Sequence, residues 1–496
     1  MATKYHQISL SDIFSDYQNS FIDDSTSFFS LLSEHFDLND GNNFFYYCYN
    51  KDSRGSGMED PRIISALFIF LKTAYYNVLI NIQGFLTAFI LQKIFSIPTD
   101  SLLLLFLHLS KELRDFCGFT KVPDASLMSR FKHDFEPYIE LMFQRMVDYT
   151  EPICQLIDSS LSQMLTFDTS GIELYVTENN SKTLNALIKK LKVFYKDKPD
   201  IDPYKMAYGL MPSQAVSCTD AKQMYINGHF CYADKFAILT NGLGIVRHLS
   251  FIDDNDFKAS HPELNVEKKT NSPDEDKSVG DASALVPVIN DYFSLHPDFH
   301  PDTFLGDSAF DSAELYGKLF HDFHFSRALI PYNPGNESPL KKVGYNAYGY
   351  PTCPNDPSLS MKYCGITKER GRTDRIKWIC PKMHYHKGWI CDCDKPCSSA
   401  KRGRTTYTYE NMDLRMFPGV QRDSDEWNDT YKVRTIVERA INHFKINMCI
   451  AGRKTRSHIS TKADVFLAGI ASQLTVIVAY AMNCPQYIRS LKPLVS

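Results

Sequence analysis

Four polar residues between positions 431 and 445 have types and a spacing that could carry out chemistry. Tyr431, Arg434, Glu438 and Lys445 follow one another at offsets of three, four and seven residues. On a helix of 3.6 residues per turn they line one face, and apolar residues fill the opposite face. A carboxylate between two cations indicates either a solvent-exposed, ion-paired helix surface or a metal ligand flanked by cations that bind phosphates.

Two aspartates elsewhere in the chain are candidates for further ligands of such a metal. Asp168 closes the apolar run 164–167, and Asp307 follows the run 303–306. Both runs are typical of short buried strands, and an Asp at a strand end projects into the mouth of a sheet. Hard oxygen ligands at this position can hold Mg²⁺, and water and phosphate oxygens complete its coordination shell.

The spacing Tyr, two residues, Arg, three residues, Glu, six residues, Lys resembles the Tyr-Arg-Glu-Lys signature of bacterial insertion-sequence transposases of the DDE type. The contexts FDTSG at Asp168 and GDSAFDS at Asp307 are similar to those of the same family. The resemblance covers nearly all of the chain from about Asp60 onward. It implies that Asp168, Asp307 and Glu438 are the catalytic residues and also the metal ligands.

The resemblance also implies a mechanism and partners. Two Mg²⁺ ions, for which Mn²⁺ could substitute, would activate a water or a 3′-hydroxyl and stabilise the leaving oxygen. Tyr431, Arg434 and Lys445 would bind DNA. The expected function is a transposase that binds the double-stranded ends of its mobile element, cleaves them and joins the 3′-OH ends to target DNA. A homodimer on paired ends and a cytoplasmic, nucleoid-associated location are expected.

Three other functions stay open at this stage. A ribonuclease-H-like nuclease without strand transfer would share the acidic triad. A catalytically inactive DNA-binding protein derived from a transposase would share the fold. A zinc-dependent structural or regulatory module would use the cysteines but would leave the two aspartates unexplained.

Length and composition are consistent with a globular protein of two or three domains. The chain has 496 residues, 44% of them hydrophobic, and a formal net charge of -4, so its charge does not indicate a nucleic-acid partner. Its polar, acidic start predicts no secretory signal, so its thirteen cysteines are expected in a reducing compartment without disulfides. The apolar segment Val465 to Met482 predicts a buried helix, and no membrane partner is expected.

The predicted fold is α/β. The expected order after residue 150 is three strands, helix, strand, helix, strand, helix, which is typical of a ribonuclease-H-like mixed sheet flanked by helices. The predicted hairpin strands are 228–239 and 244–251, followed by a helix at 281–295. Four regions are predicted: an irregular extension (1–60), an all-α N-terminal domain (61–150) with helices at 61–80, 84–95 and 100–116, the catalytic core (151–331 and 430–496) and a sheet-poor insertion domain (332–429).

Cations outside the signature are further candidates for DNA contact. Arg130 and Lys132 lie near the start of a helix that Asp124 is predicted to cap, and they indicate either phosphate contacts or solvated charges. The basic helix predicted at 184–198 has the same two interpretations. In the insertion, cations alternate with aromatic residues, a pattern typical of nucleic-acid surfaces.

The insertion also contains six of the thirteen cysteines. Cys380, Cys391, Cys393 and Cys397 could hold a structural Zn²⁺. Their spacing differs from the paired two-residue gaps of a standard zinc ribbon. Zinc and free thiols therefore both stay open.

Overall fold

The computed structural model describes residues 82–490 except 227–228, 265–277, 334, 336–343, 347–349, 387, 410–413, 416 and 423. The predicted extension at 1–60 and the helix predicted at 61–80 lie outside the described residues.

The helices are α1 Ile82–Ile94, α2 Asp100–Leu109, α3 Lys111–Phe116, α4 Ala125–Ile157, α5 Ser159–Ser162, α6 Ser181–Phe194, α7 Pro203–Leu210, α8 Asn255–Ser260, α9 Asp281–Leu295, α10 Ala313–Gly317, α11 Asp425–Tyr431, α12 Ile436–Asn442 and α13 His458–Ala481. The strands are β1 Met164–Glu173, β2 Lys222–Ile226, β3 His229–Asn241, β4 Val246–Phe251, β5 Thr303–Leu305, β6 Arg327–Leu329, β7 Lys362–Thr367, β8 Arg375–Ile379, β9 Met383–Tyr385, β10 Trp389–Cys391 and β11 Thr405–Thr408.

The main sheet is mixed and has β1 at its centre. Its order is β4-β3-β1-β5-β6, and β2 pairs with the first part of β3. β1 is antiparallel to β3 and parallel to β5, and β5 is parallel to β6. The prediction of an α/β chain with a mixed sheet is confirmed.

Helices cover both faces of this sheet because alternate residues of its strands are apolar on both sides. Phe236 and Ile238 of β3 join a cluster with α1, α4, α12 and α13. Ala237 and Leu239 point the other way and join a cluster with α9 and α10. The sheet is therefore the middle layer of three, and its strand ends are left to form a site.

α13 is the central helix of the first of these clusters. In the described part of the chain it is the one helix whose length and composition would allow it to cross a membrane. However, 94% of its apolar 18-residue stretch is buried inside the protein. The prediction of a buried helix at 465–482 is confirmed. α4 packs against α13 and runs through residue 150, so the predicted boundary between the N-terminal domain and the core falls inside a helix.

Buried ion pairs join α13 to distant parts of the chain. The carboxylate of Asp464 lies 2.7 Å from Lys93 Nζ, 3.1 Å from Lys132 Nζ and 3.1 Å from Arg453 Nε. Asp100 also pairs with Lys132 and Arg453, so two carboxylates face three cations taken out of water. Burial lowers the pKa of the third cation, Lys93, to about 7.

His458, the first residue of α13, lies between two further carboxylates. Its ring nitrogens are 3.2 Å from Asp234 and 3.1 Å from Asp254. Although burial alone would lower it, these carboxylates raise the pKa of His458 to about 10. The imidazole is therefore a cation at neutral pH.

Several predicted elements have the expected bounds. The hairpin is β3 and β4, and α9 runs over 281–295 as predicted. Three expectations were wrong in detail. β2 was not predicted. The helix expected at 100–116 is two helices, because the Ser110 hydroxyl accepts the Leu113 N–H and caps α3. β1 continues past Asp168, because its pairing with β3 extends to Glu173.

The insertion contains two small antiparallel sheets, β7-β8-β11 and β9-β10. Trp378 is buried against Tyr350, Met361 and Ile376. The expectation that this insertion is poor in sheet was therefore wrong.

Candidate active site

The segment that carries the four signature residues is helical but irregular. α11 ends at Tyr431, a 3₁₀ turn covers Lys432–Thr435, α12 follows, and a wider π turn covers His443–Asn447. The predicted continuous α-helix is therefore tightened before Glu438 and widened after it. Such changes in helix width are frequent at functional sites.

Arg434 joins two of the three predicted catalytic residues. Its guanidinium donates to Glu438 Oε1 at 2.8 Å and to Asp307 Oδ2 at 3.1 Å. The Arg434 side chain is 16% exposed, whereas each carboxylate is 51% exposed. Asp307 and Glu438, which are far apart in sequence, thus share one cation at the surface, next to the end of β5.

Asp168 and Asp307 are brought together by neighbouring parallel strands. The last β1–β5 pair is Thr166 with Leu305. Asp168 and Asp307 each lie two residues farther along, so they occupy the same level of the sheet. Asp168 is in the middle of β1 and not at its end; it lies next to the site because β5 ends there.

The electrostatics of Asp168 place it beside the same group. Burial raises its pKa to about 6, and the carboxylates of Asp281 and Glu438 act in the same direction. The Thr169 N–H, which donates to Asp168 at 2.8 Å, and the nearby Arg434 oppose this shift. Asp168 is thus a desolvated carboxylate among other acidic side chains, so an added cation would favour its charged form.

Tyr431 and Lys445 contact the same edge of the sheet. The Tyr431 hydroxyl lies 3.4 Å from the Gly306 carbonyl, and its ring stacks on Trp427. Lys445 Nζ donates to Ser170 Oγ at 2.9 Å, and burial lowers its pKa. Tyr431, Arg434 and Lys445 therefore contact β1 or the segment that follows β5, and Arg434 joins Glu438 to them.

Sequence reasoning missed Asp281, the first residue of α9. Its carboxylate accepts hydrogen bonds from Thr169 Oγ1 and forms an ion pair with Lys235 Nζ, each at 2.7 Å. Lys235 is buried in β3, opposite Gly171 of β1. An Asp at a helix start is an ordinary feature of sequences, so no local signal distinguished it.

The donor types at this site fit a divalent cation. Asp168, Asp307 and Glu438 offer carboxylate oxygens, which Mg²⁺ prefers. In the described residues no donor is within hydrogen-bond distance of Asp168 Oδ2 or Glu438 Oε2. Also among these residues, no three His, Cys, Asp or Glu stand close enough together to hold a metal ion, and Arg434 is the cation between Asp307 and Glu438.

The two N-terminal candidates for DNA contact have different surroundings. Arg130 is exposed on α4, nearly two turns after Asp124, which caps this helix as predicted. Lys132 is only 2% exposed, lies over the Phe89 ring and forms ion pairs with Asp100 and Asp464. The prediction that Lys132 binds DNA is corrected, because a side chain enclosed in this way cannot reach a phosphate.

The four cysteines proposed for zinc lie around the β9–β10 hairpin. Cys380 is buried before β9, Cys391 ends β10, and Cys393 and Cys397 follow. Burial raises the pKa of Cys380, and nearby Cys391, Cys353 and Cys397 add to the shift. As these thiols stand, no three of them are grouped at metal-binding separation within the described residues. A zinc site here stays a prediction.

One comparison with known proteins bears on the function. Residues 79–134 match the family model described as a transposase domain (DUF772). This match covers α1, α2, α3 and the start of α4, and it supports a transposase. It spans a small part of the 496-residue chain and does not include Asp168, Asp307 or Glu438. No curated protein matches the chain.

Proposed function

We propose that the chain is a DDE-type transposase with a ribonuclease-H-like core, which cleaves the ends of its mobile element and joins them to target DNA. The observation that carries this proposal is the shared guanidinium of Arg434. It links Asp307, after β5, to Glu438, on the helix of the four-residue signature, beside Asp168 of β1. The transposase domain match at 79–134 supports the same class of protein.

The sheet supports the proposed core type. A central β1 with an antiparallel neighbour on one side and a parallel neighbour on the other brings two aspartates from sequence-distant strands to one level. With β2 and the helices α6, α7 and α8 as additions to it, the expected order is matched by the succession β1, β3, β4, α9, β5, α10, β6 and then α11 and α12. The insertion comes before the helix that carries Glu438.

Each residue at the site has a proposed role. Asp168, Asp307 and Glu438 would hold Mg²⁺, with Mn²⁺ able to replace it. The bound metal would supply Lewis-acid stabilisation of charge on a phosphodiester and of its attacking and leaving oxygens. Arg434, whose two carboxylate partners are half exposed, would exchange one of them for a phosphate and bind the DNA backbone by its bidentate fork.

Tyr431 and Lys445 would hold the DNA on either side of Glu438. Lys445 presents a point charge beside Ser170 of β1, and Tyr431 presents an aromatic ring beside Gly306. Two chemical steps would use this one surface. Hydrolysis breaks a phosphorus–oxygen bond with water as the nucleophile and frees a 3′-OH, and strand transfer repeats the displacement with that 3′-OH as the nucleophile.

The proposed partner is double-stranded DNA, both as element ends and as target. Joining two ends in one event requires that they be held together, so a homodimer on paired ends is part of the proposal. Arg130, exposed on α4, is proposed to contact DNA from the N-terminal region that matches the transposase domain.

The test is incubation of the purified protein with a labelled duplex that contains the terminal sequence of its own element, in Mg²⁺ or in EDTA. Metal-dependent cleavage at the element end together with joined products is the expected result. Asp307→Ala should abolish both products while retaining DNA binding, since the Asp307 side chain is half exposed and supports little packing.

Two outcomes would contradict the proposal. Cleavage without joined products would indicate a nuclease that does not transfer strands. Binding without cleavage by the wild-type protein would indicate an inactive DNA-binding derivative.

A further inference from the structure

The segment between β1 and β2 forms a helical arm, defined here as residues 181–210, which contains α6, α7 and their connection. We propose that this helical arm is a second DNA-binding surface, which contacts the backbone of the duplex beside the acidic site. The choice of DNA as the ligand rests on the proposed function. The choice of the helical arm as the binding surface rests on the charge, exposure and attachment of the arm.

The helical arm is a small folded unit with its own apolar cluster. Ile188 and Leu191 of α6 are buried against Ala207 of α7, separately from the two large clusters on the faces of the sheet. Ile188 and Leu191 therefore hold α6 against α7 within the arm.

The arm is attached firmly to the main sheet. Asn179, just before α6, donates to the carbonyls of Leu174 and Tyr232 and accepts the Tyr232 N–H, at 2.7 to 2.8 Å. Tyr175 N–H donates to the Thr455 carbonyl at 2.8 Å. Because its base is held by hydrogen bonds to β3 and to the segment before α13, the arm has a defined position relative to β1.

The charge of the helical arm is opposite to that of the chain. It contains seven lysines and three aspartates, a net charge of +4, whereas the whole chain has -4. The rest of the chain therefore carries -8. Lys189, Lys190 and Lys196 are exposed, and none of them forms an ion pair with any described residue. Unpaired cations concentrated on an otherwise acidic protein indicate a polyanionic partner.

Exposed apolar side chains stand among these lysines. Val193 is 78% exposed and Phe194 75% exposed at the end of α6. They border a shallow depression together with Lys189 and Lys190. Burial of this ring and of the lysine stems against a sugar or base, with the ammonium groups on phosphates, fits a nucleic acid better than a second copy, whose identical arm would repel this one.

The helical arm follows the strand that carries Asp168. β1 carries Asp168 and ends at Glu173, about 17 Å farther on at the rise of an extended strand. This length corresponds to roughly five base pairs at about 3.4 Å each. A duplex placed with a phosphate at the acidic site can therefore extend toward the base of the arm.

The experiment measures the affinity of the full chain for a fluorescein-labelled duplex of arbitrary sequence, by anisotropy, over a series of salt concentrations. The variant is Lys189→Gln/Lys190→Gln. Each lost phosphate contact reduces the slope of log K against log salt by about 0.9, so we expect a reduction of about 1.8 if both lysines bind phosphates. Lys318→Gln is the control, because Lys318 is an exposed lysine directly after α10 that is paired with Asp322.

Phe194→Ala tests the apolar part of the surface. We expect at least about a fivefold loss of affinity, the scale of burying part of a Phe ring against a sugar, with an unchanged salt slope. Sedimentation velocity of the same variant without DNA reports whether the ring holds two copies together.

The possible outcomes separate this inference from the proposed function. A wild-type slope for the double variant would overturn the inference and leave a DNA-binding transposase intact. A change of oligomeric state in Phe194→Ala, with an unchanged DNA affinity, would reassign the surface to a copy of the chain. A wild-type protein that does not bind DNA would contradict the proposed function itself.

Discussion

Glu438→Gln is the substitution that best separates chemistry from stability at this site. The change keeps the size of the side chain and removes its charge. In the folded protein Glu438 is 51% exposed and forms one ion pair, with Arg434 four residues earlier. Exposed pairs at this helical spacing contribute about 0.3 to 0.5 kcal/mol, so the variant should lose less than about 1 kcal/mol of its free energy of unfolding.

The effect on catalysis should be far larger. Glu438 supplies one of three carboxylates to the site, and loss of a single group that stabilises transition-state charge lowers the rate by about 100-fold to 1000-fold. DNA binding should be retained or slightly strengthened, because Arg434 loses one carboxylate partner and gains freedom to bind a phosphate.

The assay combines a thermal melt, duplex binding and Mg²⁺-dependent cleavage of the element end, each on wild type and variant. Asp464→Asn is the contrasting control. Asp464 is buried with three cations, and removal of one partner of a buried ion pair costs about 3 to 5 kcal/mol. If Glu438→Gln cleaves DNA at a rate within a few-fold of wild type, Glu438 is not part of the active site. If Glu438→Gln is destabilised as much as Asp464→Asn, the inference that the exposed Glu438 contributes little to stability is refuted.

Three further predictions concern single side chains. Lys132→Met should lower the free energy of unfolding by about 3 to 5 kcal/mol, measured by urea denaturation, and a loss of DNA affinity without loss of stability would contradict its burial. His458→Gln should lower the free energy of unfolding most below the ordinary His pKa of about 6.5, and progressively less as the pH rises toward 10. The reason is that the raised pKa of His458 stabilises the folded state only while its ring is protonated. Equal shifts of the unfolding midpoint at low and high pH would refute this. Lys445→Gln should reduce the salt slope of DNA binding by about 0.9 with little change in melting temperature, and an unchanged slope would remove Lys445 from the DNA surface.

The sequence predicted those parts of the fold that local patterns determine. The hairpin of β3 and β4, the helix at 281–295 and the Asp124 cap all depend on neighbours in sequence, and they lie within two residues of where they were expected. The extent of β1 could not be predicted in this way, because pairing with β3 and not its own composition extends it to Glu173.

The site shows the same division. Arg434 and Glu438 are one helical turn apart, so their ion pair follows from spacing. The contact between Arg434 and Asp307 spans 127 positions, and only the packing of the signature helix against the end of β5 produces it. Lys132 illustrates the opposite error, since a lysine near a helix start looks exposed in sequence and is enclosed by a helix that lies more than 300 positions later.

The ion pairs of Asp464 have a consequence for how this chain can be divided. Lys93, Lys132 and Arg453 depend on a carboxylate supplied by the last long helix, so the helices that match the transposase domain reach their final environment only when α13 is present. A fragment that ends before residue 458 would leave Lys93 and Lys132 without Asp464 and would leave apolar surfaces of α1 and α4 uncovered. Mapping DNA recognition by truncation would therefore report misfolding, and point substitutions in the intact chain are the suitable tool.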